Sequence, residues 1–144
     1  MSGGKFAQPA RKLHAQDILQ LQNIGDQWCF REDTFSFSVH LIWAQGKVVS
    51  YSQDKNEVNY KVTLDDGGFK ITVTNCQNIP GGNSWILEGQ YVMVVGEIEQ
   101  VGNTRVVQAI KMADLSTNTV HQSTWKHEVA EIKMLLKQNP SMCR

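Results

Sequence analysis

The sequence predicts an all-β domain: a five-stranded barrel with a short helix before it and one amphipathic helix after it. Three observations carry this. Val58, Tyr60, Val62 and Leu64 share a period of two, and so do Phe69, Ile71 and Val73, as in strands with one buried face. The turn signals Asp65-Asp66-Gly67-Gly68 and Val101-Gly102-Asn103 join strand runs in pairs, as hairpins require. The period then changes. Trp125, Val129, Ile132 and Leu136 fall at i, i+4, i+7 and i+11, which places them in one stripe along a helix.

Residues 1–10, rich in Gly and small residues around Pro9, read as a flexible tail. Residues 11–24 carry Leu13, Ile18, Leu21 and Ile24 at spacings that predict a short helix stopped by Gly25. Trp28 to Phe37 alternates weakly and holds aromatic rings that need cover. Leu41–Val49 is the first long strand, with Gly46 as a bulge or bend inside it. The run from Val58 to Leu64 and the run from Phe69 to Val73 are the second and third strands. Pro80-Gly81-Gly82-Asn83 marks a loop, and Tyr91–Glu99 and Arg105–Met112 form the closing hairpin. Five strands arranged as a meander, a connector and a hairpin fit the all-β OB-fold barrel, although the same pattern also fits an open sheet packed on both helices. The final helix starts with Thr119 and Gln122 in a capping-box pattern and ends at Asn139-Pro140. The domain therefore spans 11–138, with 139–144 as a C-terminal tail.

The chain has 144 residues, enough for one core without metal or disulfide support. Fourteen basic and 14 acidic residues give a net charge of 0, which removes the global attraction that supplies much of nucleic-acid affinity. Cys29, Cys76 and Cys143 form no CxxC pair, and the simplest reading is three reduced thiols, with Cys76 as a small buried hydrophobe. The first residues hold no long apolar run of a secretory signal, and no stretch approaches a membrane span.

A catalytic constellation is absent from the pattern. His121 and His127 sit about 120° apart on a helix and cannot readily share a metal, no HExxH motif occurs, and Asp65 and Asp66 read as a solvated turn. Gly67-Gly68 and Gly81-Gly82 lack the lysine of a phosphate loop. The sequence thus predicts no enzyme and no cofactor. The alternative function is a single-stranded nucleic-acid-binding OB module that stacks bases on aromatics of strands two and three. Tyr60 and Phe69 lie on those strands, but their registers place both rings in the core, and the flanking loops are short and nearly neutral. The apolar stripe of the last helix has two destinations, the chain's own barrel or another protein, with Trp125 as the anchor in the second case.

Several strings are specific beyond this pattern: Tyr91-Val-Met-Val-Val-Gly96, Gln108-Ala-Ile-Lys-Met112, Asp114-Leu-Ser116, His121 and Trp125, with Trp43–Val49 and Leu64–Phe69 upstream. Together they resemble the RecQ-mediated genome instability protein 2 family. Thr117, where the family pattern carries an acid, and Thr119, where it carries proline, depart from it. The resemblance implies a non-catalytic, nuclear OB-fold scaffold that forms a direct heterodimer with RecQ-mediated genome instability protein 1. It further implies a complex with topoisomerase III alpha and the Bloom syndrome helicase that dissolves double Holliday junctions in DNA repair and replication. A Fanconi anaemia M protein peptide is a further implied partner, and DNA contact would be indirect. The family positions tied to peptide docking fall on Lys111 and Trp125. Val129, Ile132 and Leu136, chosen from their periodicity, are the expected helix contacts with the first partner.

Overall fold

The computed structural model describes residues 9–32, 35–53 and 59–138. Among the described residues, nine strands and two α-helices follow in order: β1 (Arg11–Lys12), α1 (Ala15–Leu19), β2 (Gln22–Ile24), β3 (Gln27–Glu32), β4 (Phe35–Val39), β5 (Ile42–Gln53), β6 (Tyr60–Asp66), β7 (Phe69–Thr74), β8 (Tyr91–Val101), β9 (Thr104–Asp114) and α2 (Thr119–Gln138). A 3₁₀ turn, Cys76–Asn78, follows β7.

Strands β5-β6-β7-β9-β8 form the expected barrel, and the pairing of β5 with β8 closes it. Closure excludes the open-sheet arrangement. The five barrel strands are antiparallel to their neighbours except at β7 and β9, which run parallel. Inward residues recur at every second position, such as Val62 and Leu64 on β6, Ile71 and Val73 on β7, and Val92 and Val94 on β8, all buried. Val58 lies outside the described residues.

Curvature comes from two features. Gly46 is tightly approached: a Cβ there would lie 2.8 Å from the carbonyl oxygen of Asp65, so the glycine allows the two strands to meet at the bend. Gly46 is therefore a close approach rather than a bulge; the register of β5 against β6 shifts between Val48 and Ser50 instead. Gly96 is constrained in the same way by the Gln108 backbone, and the β8–β9 register shifts there, which leaves Ile110 as the extra residue.

The N-terminal third differs from the expected helix over 11–24. Arg11 and Lys12 pair in parallel with Ile42 and Trp43, and α1 is only five residues long. Gly25 and Asp26, with φ of 56° and 65°, form a tight turn in which Ile24 pairs with Gln27. Two successive left-handed residues suit a two-residue hairpin turn, so the chain reverses as strands where a helix stop was expected. β2-β3-β4 is a small antiparallel sheet. It answers the need to cover the aromatic residues: the Phe30 and Phe37 rings stack at 4.9 Å, and Phe35 packs beside them.

Helix α2 begins as Asn118 Oδ1 accepts the Val120 N–H at 3.1 Å. The cap is thus Asn118, one residue before the expected Thr119, and it satisfies one of the free amides of the first turn. The expected stop at Asn139-Pro140 lies outside the described residues.

Candidate partner-docking site

The site is organised by a carboxylate from the β6–β7 turn. Asp66 Oδ2 accepts from the Ala15 N–H at 3.1 Å and from Trp125 Nε1–H at 3.2 Å, and it lies 2.9 Å from His14 Nδ1. Its side chain is only 11% exposed. The solvated-turn reading therefore holds for Asp65, which caps the turn by accepting the Gly68 N–H at 2.8 Å, but not for Asp66. The His14 ring meets the Trp125 ring edge-on at 5.7 Å. One acidic side chain thus joins the first helix, the hairpin turn and the last helix. A carboxylate with several donors is a charge-assisted arrangement, stronger than its neutral counterpart.

The apolar stripe of α2 divides along its length. Trp125 and Val129 are covered by the chain's own body, at 4% and 1% exposure, while Ile132 and Leu136 are half-buried at its margin. Lys111 is exposed on β9, with Val95 opposite it on β8. Outward-facing apolar residues of α2 lie elsewhere: Val120, Met134 and Leu135 are all more than half exposed. These three widen the apolar side of the helix beyond the stripe from which the partner contacts were chosen. Their signal is a set of hydrophobes off the main stripe.

Cations fasten the helix to the body. Lys12 Nζ pairs with Glu128 at 2.8 Å and lies 5.0 Å above the Trp43 ring; Lys133 Nζ pairs with Asp17 at 2.9 Å and lies 4.9 Å from Phe30. Lys137 sits over Phe35. Burial raises the Glu128 pKa, but hydrogen bonds from Lys12 and Thr124 outweigh it and hold the carboxyl below its ordinary value. At the start of the helix, Gln45, almost fully buried, donates to the Tyr91 hydroxyl at 3.1 Å and to the His121 carbonyl at 3.4 Å, and accepts from Trp43 Nε1–H. No periodic pattern marks this glutamine. Burial raises the Tyr91 pKa, partly offset by the Gln45 hydrogen bond.

A cleft of about 610 Å³ opens beside the Asp66 centre, lined by His14, Lys47, Asp66, Phe69, Tyr91 and Trp125 among others. Lys111 is not in that lining, so the structure does not bring Lys111 and Trp125 into one pocket. Phe69 is 43% exposed, which corrects its placement in the core: it occupies the turn end of β7, beyond the layer filled by Ile71 and Val73. Tyr60 is buried as its register requires and stacks at 5.7 Å on the exposed Tyr51. Cys76 is a buried free thiol, and burial pushes its pKa up to about 12. Cys29 is disulfide-bonded, which corrects the reading of three reduced thiols. Among the described residues no cluster of His, Cys, Asp and Glu could hold a metal ion, and no helix is long and apolar enough to cross a membrane.

Asp66→Ala is expected to lower unfolding free energy by about 2–4 kcal/mol in urea titration, because it strands the Trp125 and Ala15 donors in partly buried positions. Asp66→Asn, which keeps an oxygen acceptor, should cost less. Glu128 makes a pH-dependent contribution. Its folded pKa lies below the unfolded value of about 4.3, so its stabilisation is complete above about pH 5 and is lost as pH falls through the folded value. The stability difference between wild type and Glu128→Gln should accordingly be largest at neutral pH and close as pH falls from about 5 toward about 3. A difference constant across that range would contradict the assignment.

Residues 10–133 match the family model of RecQ-mediated genome instability protein 2. The chain is 30% identical over 139 residues to RecQ-mediated genome instability protein 2 of Gallus gallus, covering 94% of this chain and 99% of that protein. It is 33% identical over 91 residues to the Mus musculus protein of that name, covering 63% of this chain and 57% of the relative. Among solved structures it resembles a chain of the S. pombe Stn1-Ten1 complex, with TM-score 0.69, 14% identity and coverage of 90% of this chain and 96% of that one. It also resembles a chain of a Replication Protein A heterotrimer bound to ssDNA, with TM-score 0.60, 17% identity and coverage of 87% and 98%. These likenesses agree with the closed OB barrel. With nearly its whole length aligned to that family, the chain belongs to the RecQ-mediated genome instability protein 2 family.

Proposed function

We propose that this chain is a non-catalytic scaffold subunit that forms a 1:1 heterodimer with RecQ-mediated genome instability protein 1. The pair stabilises a nuclear assembly with topoisomerase III alpha and the Bloom syndrome helicase that dissolves double Holliday junctions during DNA repair and replication. The observation that carries this reading is the outer face of α2. The helix is already anchored to its own barrel through Trp125 and Val129, yet it still turns Met134 and Leu135 to water at 62% and 52% exposure. Apolar side chains presented together on a rigid helix mark a protein interface. The name of the family supports an association with RecQ proteins, and the solved neighbours are chains of multi-protein complexes.

In this arrangement the five expected site residues divide the work. Ile132 and Leu136, half-buried at the seam, border the outer face and contribute to the heterodimer contact. Trp125 and Val129 hold the helix in the orientation that presents this face. Trp125 also lines the 610 Å³ cleft, where an aromatic side chain of the Fanconi anaemia M protein peptide finds Phe69 and Tyr91 as neighbours. Lys111, exposed on β9, supplies a point charge for an acidic group of such a peptide from outside the cleft. A single-stranded nucleic-acid-binding module remains the second reading, because the exposed rings of Tyr51 and Phe69 offer stacking surface. The net charge of 0 weighs against it, since no global long-range attraction is available.

Co-purification tests the pairing. Met134→Asp combined with Leu135→Asp should abolish capture of the first partner without changing the melting temperature, because both side chains are in water in the free chain. Ile132→Asp should lose pairing and also melt lower. Wild-type capture by the double variant would remove the outer face of α2 from the interface. On the assembled pair, titration calorimetry with the peptide should show Lys111→Ala weaker by about 1 kcal/mol, roughly fivefold, with pairing intact. Unchanged affinity would remove Lys111 from peptide docking. Fluorescence anisotropy with a labelled oligonucleotide, weakened by Tyr51→Ala or Phe69→Ala, would favour the second reading instead.

A further inference from the structure

A second cleft, about 490 Å³, lies across the barrel between the small β2-β3-β4 sheet and the far end of the β8–β9 hairpin. Its floor includes Trp28, Val39 and Ile98, and its wall carries Asp26, Glu97 and Glu99. The lining holds three carboxylates and neither lysine nor arginine. In a chain whose net charge is 0, this is a local concentration of negative charge against an apolar floor.

The backbone of the same wall is unusual. β8 pairs with β5 only as far as Gly96, opposite Ile42, whereas its pairing with β9 runs on to Val101. Among the described pairings, the segment from Glu97 to Val101 therefore has a neighbour on one side and an open edge on the other. Such an edge offers alternate N–H and C=O groups to an added strand. Glu97 and Glu99 are two residues apart on one strand and therefore face the same way, while Ile98 faces the other and packs against the core. A second copy of this chain is a poor occupant, since edge-to-edge pairing would bring like charges opposite one another. A strand with the opposite charge at the same period is a good one. The Trp28 ring is already a platform for a cation, with the Arg105 guanidinium 5.4 Å from its centre on one side.

We propose that this cleft binds an extended segment of a partner protein that adds to the open edge of β8 and carries Lys or Arg at alternate positions. The alternate cations meet Glu97 and Glu99, with Asp26 at the mouth, and the intervening side chains lie toward Trp28 and Ile98. Spacing supplies the selectivity: a basic residue at every second position matches the carboxylates, whereas a block of adjacent basic residues turns half of its charge away from them. Its lining shares no residue with α2 or with the cleft beside Trp125.

The experiment uses the full chain and a short labelled peptide in which Lys and Thr alternate, with binding followed by fluorescence anisotropy at low salt. Two control peptides keep the same charge. One carries backbone N-methyl groups on the Thr residues, which block strand addition; the other groups its lysines at one end. The alternating peptide should bind, and both controls should bind about tenfold more weakly. Glu97→Gln combined with Glu99→Gln should weaken the alternating peptide by about tenfold, and Glu97→Lys combined with Glu99→Lys by more. Both carboxylates are exposed, so the Gln pair should melt like wild type by circular dichroism. Equal binding of all three peptides would reduce the effect to diffuse charge attraction and overturn the proposal. Absence of binding to the wild-type chain would overturn it too, leaving the two glutamates as guards against edge pairing. So would unchanged affinity in the Gln pair.

Discussion

Three segments far apart in sequence converge on the carboxylate of Asp66: His14 and Ala15 from the start of α1, the β6–β7 turn itself, and Trp125 from α2. All three contacts are partly buried. The barrel closes through its own strand ladder, but the position of α2 on it depends on this contact, because Trp125 is the first side chain of the helix that the body buries. With Trp125 and Val129 turned inward, the rotation of the helix about its axis is fixed. That rotation decides which side chains face water, and Met134 and Leu135 follow from it as geometry.

Past Val129 the attachment changes in kind. Apolar burial gives way to half-buried Ile132 and Leu136, flanked by Lys133 on Asp17 and Phe30 and Lys137 over Phe35. Cation–π and ion-pair contacts at partly exposed positions contribute modestly, and salt weakens them. The distal half of α2 is therefore held less firmly than the proximal half, and it is also the half that displays the apolar outer face. A helix fixed at one end and more loosely held at the other can adjust to a partner without unfolding the barrel. The small β2-β3-β4 sheet serves as the receiving surface for these lysines, which gives its phenylalanine cluster a role beyond filling space.

The barrel was legible in the sequence because its signals are local. Val62 and Leu64 against Ile71 and Val73, with two glycines between, state both the strands and the turn, and the α2 stripe states its buried side at once. Phe69 misled because a period of two gives a face but not the length of the layer beneath it. At the turn end the barrel has already run out, and the ring is left over the cleft. The helix expected over 11–24 failed because its apolar spacing is shared by a strand, a short helix and a hairpin placed end to end. Only the conformation of Gly25 and Asp26 distinguishes them. Asp66 and Gln45 left no trace in the pattern, since a side chain that bonds across tens of residues has no local spacing. The family strings were legible, yet which face of α2 they expose is a property of the packed structure, and periodicity alone points to a stripe of which Trp125 and Val129 are covered and Ile132 and Leu136 half-buried.

Hydrogen–deuterium exchange on α2, in the free chain and in the assembled pair, tests the central claim that one face of this helix is used internally and the other is left for a partner. The account predicts that amides around Trp125 and Val129 are already slow in the free chain, and that the partner adds protection chiefly over the distal half, around Met134 and Leu135. Rapid exchange along the whole of α2 in the free chain, with protection at Trp125 appearing only in the pair, would contradict it. The helix would then be held by the partner rather than by Asp66 and the barrel.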